Sequence, residues 1–252
     1  MKVGFIGVGN MGGPMCRNII RNTNHDVVVF DLNPAAIKAC TDLGANAGTS
    51  VEQVAADCDV VFTSLPMPRN VEEVAAGIST SAKPGSVYID LSTNSPATAR
   101  RVNEQMRAKG IQMLEAPVSG GVPRATDGTI VIMVGGDPAV FDAQLPLLKS
   151  FSGEVVHVGD IGMGSVAKLV NNMLAFCNAA AAAEALMIGT MAGIDLRKLQ
   201  QVISNASGNS SAFRNISDKA FKREFAATSR STWRTRTCAS PWSWRMNWAC
   251  RG

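Results

Sequence analysis

The sequence has few of the residues from which metal sites and disulfide scaffolds are built. Only two histidines, His25 and His157, occur in 252 residues. The six cysteines include no Cys-x-x-Cys pair, and no histidine cluster lies beside them. Structural metal sites and disulfide scaffolds need closely spaced ligands or a regular cysteine pattern. We therefore expect no metal site, and we interpret both histidines as structural residues.

The C-terminal segment combines several basic residues with a lack of acidic ones. Residues 227–252 contain five arginines and all four tryptophans but no aspartate or glutamate. The whole chain has a formal net charge of +4, so the part before residue 227 has a net charge of −1. A nucleic-acid-binding surface usually shows as basic residues clustered on a folded domain. Here the excess positive charge lies in residues 227–252, and the rest of the chain shows no such excess. We therefore expect no nucleic-acid partner.

The N-terminus lacks the pattern of a targeting segment. Its first apolar run is interrupted by glycine after a few residues, and no basic stretch precedes it. Secretory signals combine a basic start, an apolar stretch and small residues before the cleavage site. We expect a soluble protein with no membrane partner, located in the cytoplasm, or in the mitochondrial matrix if the source is eukaryotic.

The most informative pattern is a glycine-rich segment between two apolar runs. Residues 2–6 predict a strand, Gly7-Val8-Gly9-Asn10-Met11-Gly12 a tight turn, and the apolar spacing after it a helix. A second predicted strand, residues 27–30, ends in Asp31. A strand, a glycine-rich turn and a helix, followed by an acidic residue after the next strand, form the dinucleotide-binding fingerprint.

This fingerprint predicts a dinucleotide cofactor whose pyrophosphate lies at the start of the first helix. The predicted cofactor-binding residues of the turn are Gly7, Gly9, Asn10, Met11 and Gly12. Asp31 would accept hydrogen bonds from the adenosine ribose, and its charge would repel a 2′-phosphate. We therefore expect NAD rather than NADP.

Strand and helix patterns alternate as far as residue 160. The predicted strands are 60–64, 87–91, 112–115, 129–134 and 155–158, and the predicted helices are 34–43, 51–56, 71–76, 96–108 and 139–148. This alternation predicts an α/β fold, a Rossmann-type doubly wound and mostly parallel sheet with helices on both faces. Ligands of such sheets bind beyond the carboxyl ends of the strands.

One predicted loop at that edge, residues 116–121, has a composition suited to an anion. A hydroxyl at Ser119 followed by the backbone N–H groups of Gly120 and Gly121 can form a nest for a carboxylate. A plain tight turn is the alternative interpretation.

Residues 162–194 predict one long helix, since apolar residues recur there at helical spacing from Val166 to Cys177. Lys168 and Asn172 lie four positions apart, so they share one face of this helix. A lysine there can exchange a proton with a substrate oxygen, and the asparagine can bind the substrate or orient the ammonium group. The alternative is a solvated helix face.

The sequence therefore predicts a nucleotide-binding domain over residues 1–160 and an incomplete all-α domain over residues 161–226. Helices are expected at 196–203 and 217–221, with a turn at 204–211 between them. Residues 227–252 have no apolar periodicity, and we expect them to be poorly ordered. We also expect an exposed apolar surface along residues 174–191, which would favour a homo-oligomer formed through the helical domain.

Three segments together resemble the β-hydroxyacid dehydrogenase family. Residues 4–12 are similar to its cofactor signature, residues 115–121 to its substrate signature and residues 162–172 to its catalytic signature. The resemblance covers residues 1–225. After this point the family continues with further helices that include a Lys-Asp-x-x-x-Ala segment. Residues 227–252 lack that segment and resemble translation in a shifted reading frame.

The resemblance implies a role for each matching residue. Lys168 would be the general acid/base, Asn172 would orient the substrate and the lysine, and Ser119, Gly120 and Gly121 would bind the substrate carboxylate. Leu65, Pro66 and Thr93 would line the cofactor. NADP users of the family usually carry an arginine just after the second strand, where this chain has Leu32-Asn33, which again favours NAD.

The implied activity is the NAD-dependent oxidation of a small 3-hydroxy acid similar to 3-hydroxyisobutyrate. A reductase acting on tartronate semialdehyde or succinic semialdehyde remains an alternative. So do a catalytically impaired nucleotide-binding protein and an interaction protein that uses its basic, tryptophan-rich tail. An imine reductase of related fold is disfavoured, because those enzymes usually replace the lysine.

Overall fold

The computed structural model describes residues 1–222. The chain forms two compact units, Met1–Lys168 and a second unit that begins at Leu169. This division lies eight residues after the domain boundary expected at residue 160. The predictions about residues 227–252 concern residues outside the described range, so poor order in that segment stays a prediction.

The first unit is built on one nine-stranded sheet in the order β3-β2-β1-β4-β5-β6-β8-β7, with β9 also paired to β8. Its strands are β1 Lys2–Ile6, β2 Asp26–Phe30, β3 Asn46–Ala47, β4 Val60–Thr63, β5 Val87–Asp90, β6 Gln112–Glu115, β7 Val118–Ser119, β8 Ile130–Gly136 and β9 Ser152–Gly159. The first six strands run parallel. β8 is antiparallel to β6 and β7 and parallel to β9. The predicted Rossmann-type, mostly parallel sheet is confirmed.

Helices connect these strands and cover both faces of the sheet. They are α1 Gly12–Asn22, α2 Pro34–Thr41, α3 Val51–Asp57, α4 Pro68–Ser81, α5 Pro96–Arg107, α6 Gly121–Thr126 and α7 Pro138–Lys149. Alternate side chains of each strand point to opposite faces. Val3 and Phe5 accordingly pack in the core beneath α1 and α7, whereas Ile6 packs in a second core beneath α3, α4 and α5.

Regular structure extends beyond the prediction in several places. Residues 116–121 were expected to form a loop, but Val118–Ser119 pair with β8 and α6 begins at Gly121. α4 begins at Pro68, three residues before the predicted start, because proline suits the first turn of a helix, where no backbone donor is needed. The two-residue strand β3 was not predicted.

The contacts of His157 fit the structural role expected of it. It lies in β9, its Nε2 is 2.8 Å from the Gly136 carbonyl oxygen, and its ring stacks on that of Phe141.

α8, Met163–Met191, begins in the first unit and continues into the second. By length and composition alone it could cross a membrane, with a mean hydropathy of 1.4 over its most apolar window. Its first turns, however, carry the polar residues Ser165, Lys168 and Asn172, all of them buried. Core helices of soluble proteins can have the same length and composition but are mostly buried, whereas 17% of this apolar window is buried.

The second unit continues with α9 Leu196–Ser204 and α10 Ser211–Lys222. Both helices are capped, α9 by Asp195 and α10 by Ser210, whose hydroxyl accepts the Phe213 N–H. This cap explains why α10 begins six residues before the predicted start at residue 217. A small apolar cluster holds the unit together: Ala182, Leu186 and Phe213, with Leu196, Leu199, Ile203 and Ile216 packed against them.

Much of α8 in the second unit is apolar and exposed. Five exposed apolar residues of α8 are together called the α8 apolar surface: Leu174, Phe176, Met187, Ile188 and Met191. Among them, Ile188 is 68% and Met191 83% exposed. The expected exposed surface along residues 174–191 is therefore confirmed.

Candidate active site

The glycine-rich turn joins β1 to α1, and its three glycines differ in what they require. Gly7 has a φ of 88°, which other residues rarely adopt. A methyl group on Gly12 would lie 1.9 Å from the Gly7 carbonyl oxygen, so only glycine allows α1 to approach β1. A methyl group on Gly9 would meet nothing within 4 Å. The space beside Gly9 is therefore available for a ligand to approach the backbone.

The start of α1 is suited to an anion. Its N-cap residue, Met11, makes no side-chain hydrogen bond to the helix, and its first turn contains no acidic residue. The side chains of Asn33, Ser50, Ser95 and Asp137, in contrast, cap α2, α3, α5 and α7. The first N–H groups of a helix need a partner, and the helix dipole favours a negative one. The predicted turn residues thus fit the pyrophosphate of a dinucleotide, with Asn10 exposed beside the helix start.

Asp31 lies directly after β2, the neighbour of β1 in the sheet. Its Oδ1 accepts the Asn33 N–H at 2.8 Å, and the Asn33 side chain accepts the Ala35 N–H at 3.0 Å. These two bonds fix the turn between β2 and α2. They hold the Asp31 carboxylate at the carboxyl edge of the sheet, next to the strand that leads into the glycine turn.

The loops that carry Leu65, Pro66 and Thr93 are joined by a buried carboxylate, Asp90, that is not among the predicted site residues. Asp90 ends β5 and accepts hydrogen bonds from Thr63 Oγ1 at 2.8 Å, Ser92 N at 3.0 Å and Asn94 Nδ2 at 2.6 Å. Ser92 Oγ in turn accepts the Leu65 N–H at 2.9 Å. The loops after β4 and β5 are thus linked through Asp90. An acidic residue ending an apolar strand was the signal that could have revealed it.

Burial raises the pKa of Asp90, while the hydrogen bonds from Ser92 and Thr63 oppose that rise. The same network leaves one polar atom unused. Among the described residues, the buried Asn94 Oδ1 has no hydrogen-bond partner. Buried acceptors are rarely left unpaired, so this atom suits the N–H or O–H group of a ligand bound at these loops.

Ser119, Gly120 and Gly121 lie where β7 passes into α6. Gly120 has a φ of 139° and Gly121 a φ of 68°, so neither position accommodates another residue without strain. A methyl group on Gly120 would also lie 2.8 Å from Arg124 Cβ. α6 is attached to α1 through Asn18, whose Nδ2 donates to the Ala125 carbonyl at 2.9 Å. The predicted substrate segment is therefore fixed to the helix that follows the glycine turn.

Lys168 and Asn172 occupy successive turns of α8 and are only 5% and 7% exposed. The solvated helix face considered as an alternative is therefore excluded. Burial disfavours the ammonium form of Lys168 and lowers its pKa from 10.5 to about 8. Asn172 Oδ1 lies 3.4 Å from Asn171 Nδ2, and the buried Asn172 Nδ2 has no partner among the described residues. The helix thus presents a group that can exchange protons near neutral pH, one turn before a donor that a ligand can use.

Glu115 was also missed as a functional candidate. It ends β6, is 2% exposed, and its carboxylate accepts hydrogen bonds from the residues that begin α8. The donors are the N–H groups of Gly162, Gly164 and Ser165 and the Ser165 hydroxyl. These donors lie 47 to 50 residues away in the sequence, so residue spacing gave no sign of the contact.

Two family models match the chain. The model described as the NAD binding domain of 6-phosphogluconate dehydrogenase matches residues 2–159. The model described as the NAD-binding domain of NADP-dependent 3-hydroxyisobutyrate dehydrogenase matches residues 162–233. Among curated proteins, 2-(hydroxymethyl)glutarate dehydrogenase of Eubacterium barkeri is 40% identical over 215 residues, which are 84% of this chain and 71% of that protein.

The chain belongs to the β-hydroxyacid dehydrogenase family. A second relative is 3-hydroxyisobutyrate dehydrogenase of Pseudomonas aeruginosa, 40% identical over 82% of this chain and 70% of its own length. The solved structure of Mycobacterium tuberculosis 3-hydroxyisobutyrate dehydrogenase with L-serine has a TM-score of 0.80 at 36% identity, and the match covers 84% of this chain and 72% of that one. The chain spans 62% of the human mitochondrial relative.

Membership of the β-hydroxyacid dehydrogenase family confirms the resemblance seen in the sequence. Relatives in the family are named dehydrogenases of 3-hydroxy acids, and both matching family models describe nicotinamide-dinucleotide-binding domains. The protein is therefore an oxidoreductase that uses a nicotinamide cofactor.

Proposed function

We propose that this protein catalyses the NAD-dependent oxidation of a small 3-hydroxy acid similar to 3-hydroxyisobutyrate, with Lys168 as the general acid/base. The observation that carries the proposal is the buried position of Lys168 on α8, with a pKa of about 8. A general acid/base works best when its pKa lies near the pH at which it operates. An exposed lysine with an ordinary pKa would be a poor base at that pH.

In oxidation, the neutral Lys168 amine accepts the proton of the substrate hydroxyl. The hydrogen on the carbon that bears this hydroxyl leaves as hydride. The bound nicotinamide supplies the hydride acceptor. In the reverse direction the Lys168 ammonium returns the proton to the carbonyl oxygen. Asn172 Nδ2, a buried donor without a partner among the described residues, would hydrogen-bond the substrate and limit its orientation.

Substrate and cofactor binding are assigned to the remaining predicted residues. Ser119, Gly120 and Gly121 would hold the substrate carboxylate, as a hydroxyl and successive backbone N–H groups can do. The turn from Gly7 to Gly12 would bind the pyrophosphate, with Leu65, Pro66 and Thr93 lining the cofactor. The position of the Asp31 carboxylate at the end of β2 supports NAD over NADP, because a 2′-phosphate there would meet a negative charge.

A semialdehyde reductase is the second candidate function. A pKa of about 8 leaves Lys168 mostly protonated at neutral pH, and the ammonium form is the proton donor that reduction needs. The same residues would serve tartronate semialdehyde or succinic semialdehyde. The direction is then decided by the concentrations of substrate and cofactor in the cell.

The test is a turnover screen of NAD and NADP with 3-hydroxyisobutyrate, glycerate, 4-hydroxybutyrate and serine. Turnover is measured as the increase in absorbance of the reduced cofactor. We expect NAD-dependent oxidation of at least one of these substrates, with kcat reduced by about 10² to 10⁴ in Lys168→Ala and cofactor affinity unchanged. A Lys168→Ala variant with near-normal kcat would refute the acid/base assignment. Cofactor binding without turnover of any substrate would favour the catalytically impaired alternative.

A further inference from the structure

The start of α8 is held by a side chain from the sheet. Glu115 Oε1 accepts the N–H groups of Gly162 and Gly164, the second at 2.9 Å. Glu115 Oε2 accepts the Ser165 N–H at 3.3 Å and the Ser165 hydroxyl at 2.5 Å. Since all four groups donate, they favour the ionised form of Glu115. Burial raises the pKa of Glu115, and these hydrogen bonds offset only part of that rise.

A carboxylate in this place acts as the N-cap of α8. The first N–H groups of a helix have no partner within the helix, and a negative charge beside them also interacts favourably with the helix dipole. The N-cap side chain usually belongs to the residue directly before the helix. Here it comes from β6, 47 to 50 residues earlier in the sequence. The cap therefore connects the helix to the sheet and fixes the position of its first turn.

The surroundings of Glu115 leave little room for the carboxylate to move. A methyl group on Gly135 would lie 2.6 Å from Glu115 Oε1, and one on Gly164 would lie 2.7 Å from the Met133 carbonyl oxygen. β8 and the start of α8 thus enclose the carboxylate at close range. Lys168 follows Ser165 by three residues, so it lies within one helical turn of the capped segment.

We propose that Glu115 is a positioning residue for Lys168. It caps the first turn of α8 against the sheet and thereby keeps the lysine amine buried and aligned for proton transfer. This inference rests on the proposed role of Lys168. It assigns to the first residue of the segment Glu115–Gly121 a task separate from the carboxylate binding proposed for Ser119, Gly120 and Gly121.

Asp90 provides an internal contrast. It lies opposite Glu115 in the register of β5 and β6, and it is likewise buried and hydrogen-bonded. Asp90, however, joins the loops proposed to line the cofactor, whereas Glu115 holds the helix of the lysine. Loss of Asp90 should weaken cofactor binding, and loss of Glu115 should lower kcat at unchanged cofactor affinity.

The experiment compares Glu115→Gln, Glu115→Asp, Asp90→Asn and a control for lost stability, Ile78→Val. Ile78 is a buried residue of α4 in the second core and makes no hydrogen bond to the cap, so its truncation costs about 1 kcal/mol without removing a cap contact. Glu115→Gln keeps the size of the side chain but places an amide donor against the Ser165 N–H. We expect its kcat to fall by about 10², as for a misplaced catalytic group, with the Kd for NAD unchanged. Glu115→Asp, which keeps the charge, should recover part of the loss.

Two further measurements do not need turnover. Amide hydrogen exchange over residues 162–168 should be faster in Glu115→Gln than in Ile78→Val at matched stability. Trace acetylation of Lys168 across pH should show its midpoint moving upward from about 8, because a loosened helix start lets water reach the amine. The inference would be overturned if Glu115→Gln and Ile78→Val showed the same amide-exchange rates over residues 162–168 and the same pH midpoint for acetylation of Lys168.

Failure of the inference can be told apart from failure of the proposed function. If Lys168→Ala keeps its kcat, the acid/base role is wrong and the positioning role falls with it. If Lys168→Ala loses activity but Glu115→Gln keeps the kcat of the Ile78→Val control, only the role of Glu115 is wrong.

Discussion

At the scale of single residues, the properties of the site come from burial more than from neighbouring charges. Desolvation is the cause of the lowered pKa of Lys168, and the change from 10.5 to about 8 corresponds to roughly 3 kcal/mol between its two protonation states. This is several times the contribution of a typical surface ion pair. The environment of the lysine is therefore costly to maintain, which is expected of a functional group and not of a packing residue.

The pKa of Lys168 predicts how the rate depends on pH. Oxidation requires the neutral amine, so kcat/KM for oxidation should rise with pH and reach half of its plateau near pH 8. Reduction requires the ammonium form and should fall over the same range. Initial rates in both directions across the pH range test this. A half-point near 10.5 in the oxidation profile would show that the lysine is not desolvated in the working enzyme.

The lowered pKa also predicts how stability depends on pH. Between about 8 and 10.5 the unfolded chain binds the lysine proton and the folded chain does not, so the contribution of Lys168 to stability rises with pH. Below pH 8 the folded state carries the full cost of a buried ammonium. Lys168→Met should therefore raise the free energy of unfolding at pH 7 and have a smaller effect at pH 10. Chemical denaturation at the two pH values is the measurement, and an equal effect at both would contradict the prediction.

Asp31 predicts cofactor preference. Replacing it with alanine removes the repulsion of a 2′-phosphate and the acceptor for the ribose. The ratio of NADP to NAD dissociation constants should therefore fall by about tenfold, or about 1.4 kcal/mol, and by less at high salt. Titration of both cofactors measures this. Asp42→Ala, which removes an exposed carboxylate after α2, is the matched control and should leave the ratio unchanged.

At the scale of secondary-structure elements, the turn between β1 and α1 separates glycines needed for folding from a glycine needed for binding. Gly12 contacts the backbone of the turn, whereas Gly9 faces open space. The same residue type thus serves two purposes within six positions.

This difference predicts opposite outcomes for two alanine variants. Gly12→Ala should destabilise the protein by about 3 kcal/mol, since the added methyl group would overlap the Gly7 carbonyl oxygen. Gly9→Ala should leave stability nearly unchanged but raise the Kd for NAD, because its methyl group would occupy the space of the ligand. Thermal unfolding and NAD titration of each variant separate the two effects. Similar stability losses in both variants would contradict the assignment.

Elements with a clear period were predictable from the sequence, and short or contact-dependent ones were not. The order of β1, α1 and β2 and the long helix α8 followed from apolar spacing. The two-residue strands β3 and β7 are too short to show a period. Lys168 and Asn172 could be paired because helix geometry relates positions four apart. Glu115 could not be recognised, because the residues that it holds are brought to it only by the folded sheet. Asp90 has partners two and four residues away, and its position at the end of an apolar strand was a signal that could have been used.

At the scale of the whole molecule, the two units differ in how well they cover apolar residues. The sheet of the first unit has a helical layer on each face. The second unit has three buried apolar residues in its cluster and leaves the α8 apolar surface exposed among the described residues. Exposed apolar surfaces of this kind commonly bind another chain. We propose that a second copy of this protein covers the α8 apolar surface.

This proposal predicts self-association that depends on α8. The protein should sediment as a dimer or larger species, and Ile188→Glu combined with Met191→Glu should shift it toward the monomer, because a charge cannot be buried there without a partner. Leu43→Glu, at an exposed position of the first unit, controls for the added charge. A monomeric protein at all concentrations, or equal behaviour of the variants and the control, would contradict the proposal.

The cap that Glu115 places on α8 also has a consequence for the order of folding. Contacts between residues 47 to 50 positions apart form only after the intervening chain has closed its loop, and that chain includes β7, β8 and β9. A helix is costly to nucleate, and its first turn gains stability once a partner for its N–H groups is present. The first turn of α8 should therefore become fixed late in folding, after β6 and β8 have paired. In a chain that is still assembling its sheet, Lys168 would be hydrated and would keep its ordinary pKa of 10.5. Lys168 would become able to transfer protons near neutral pH only in the last steps of folding.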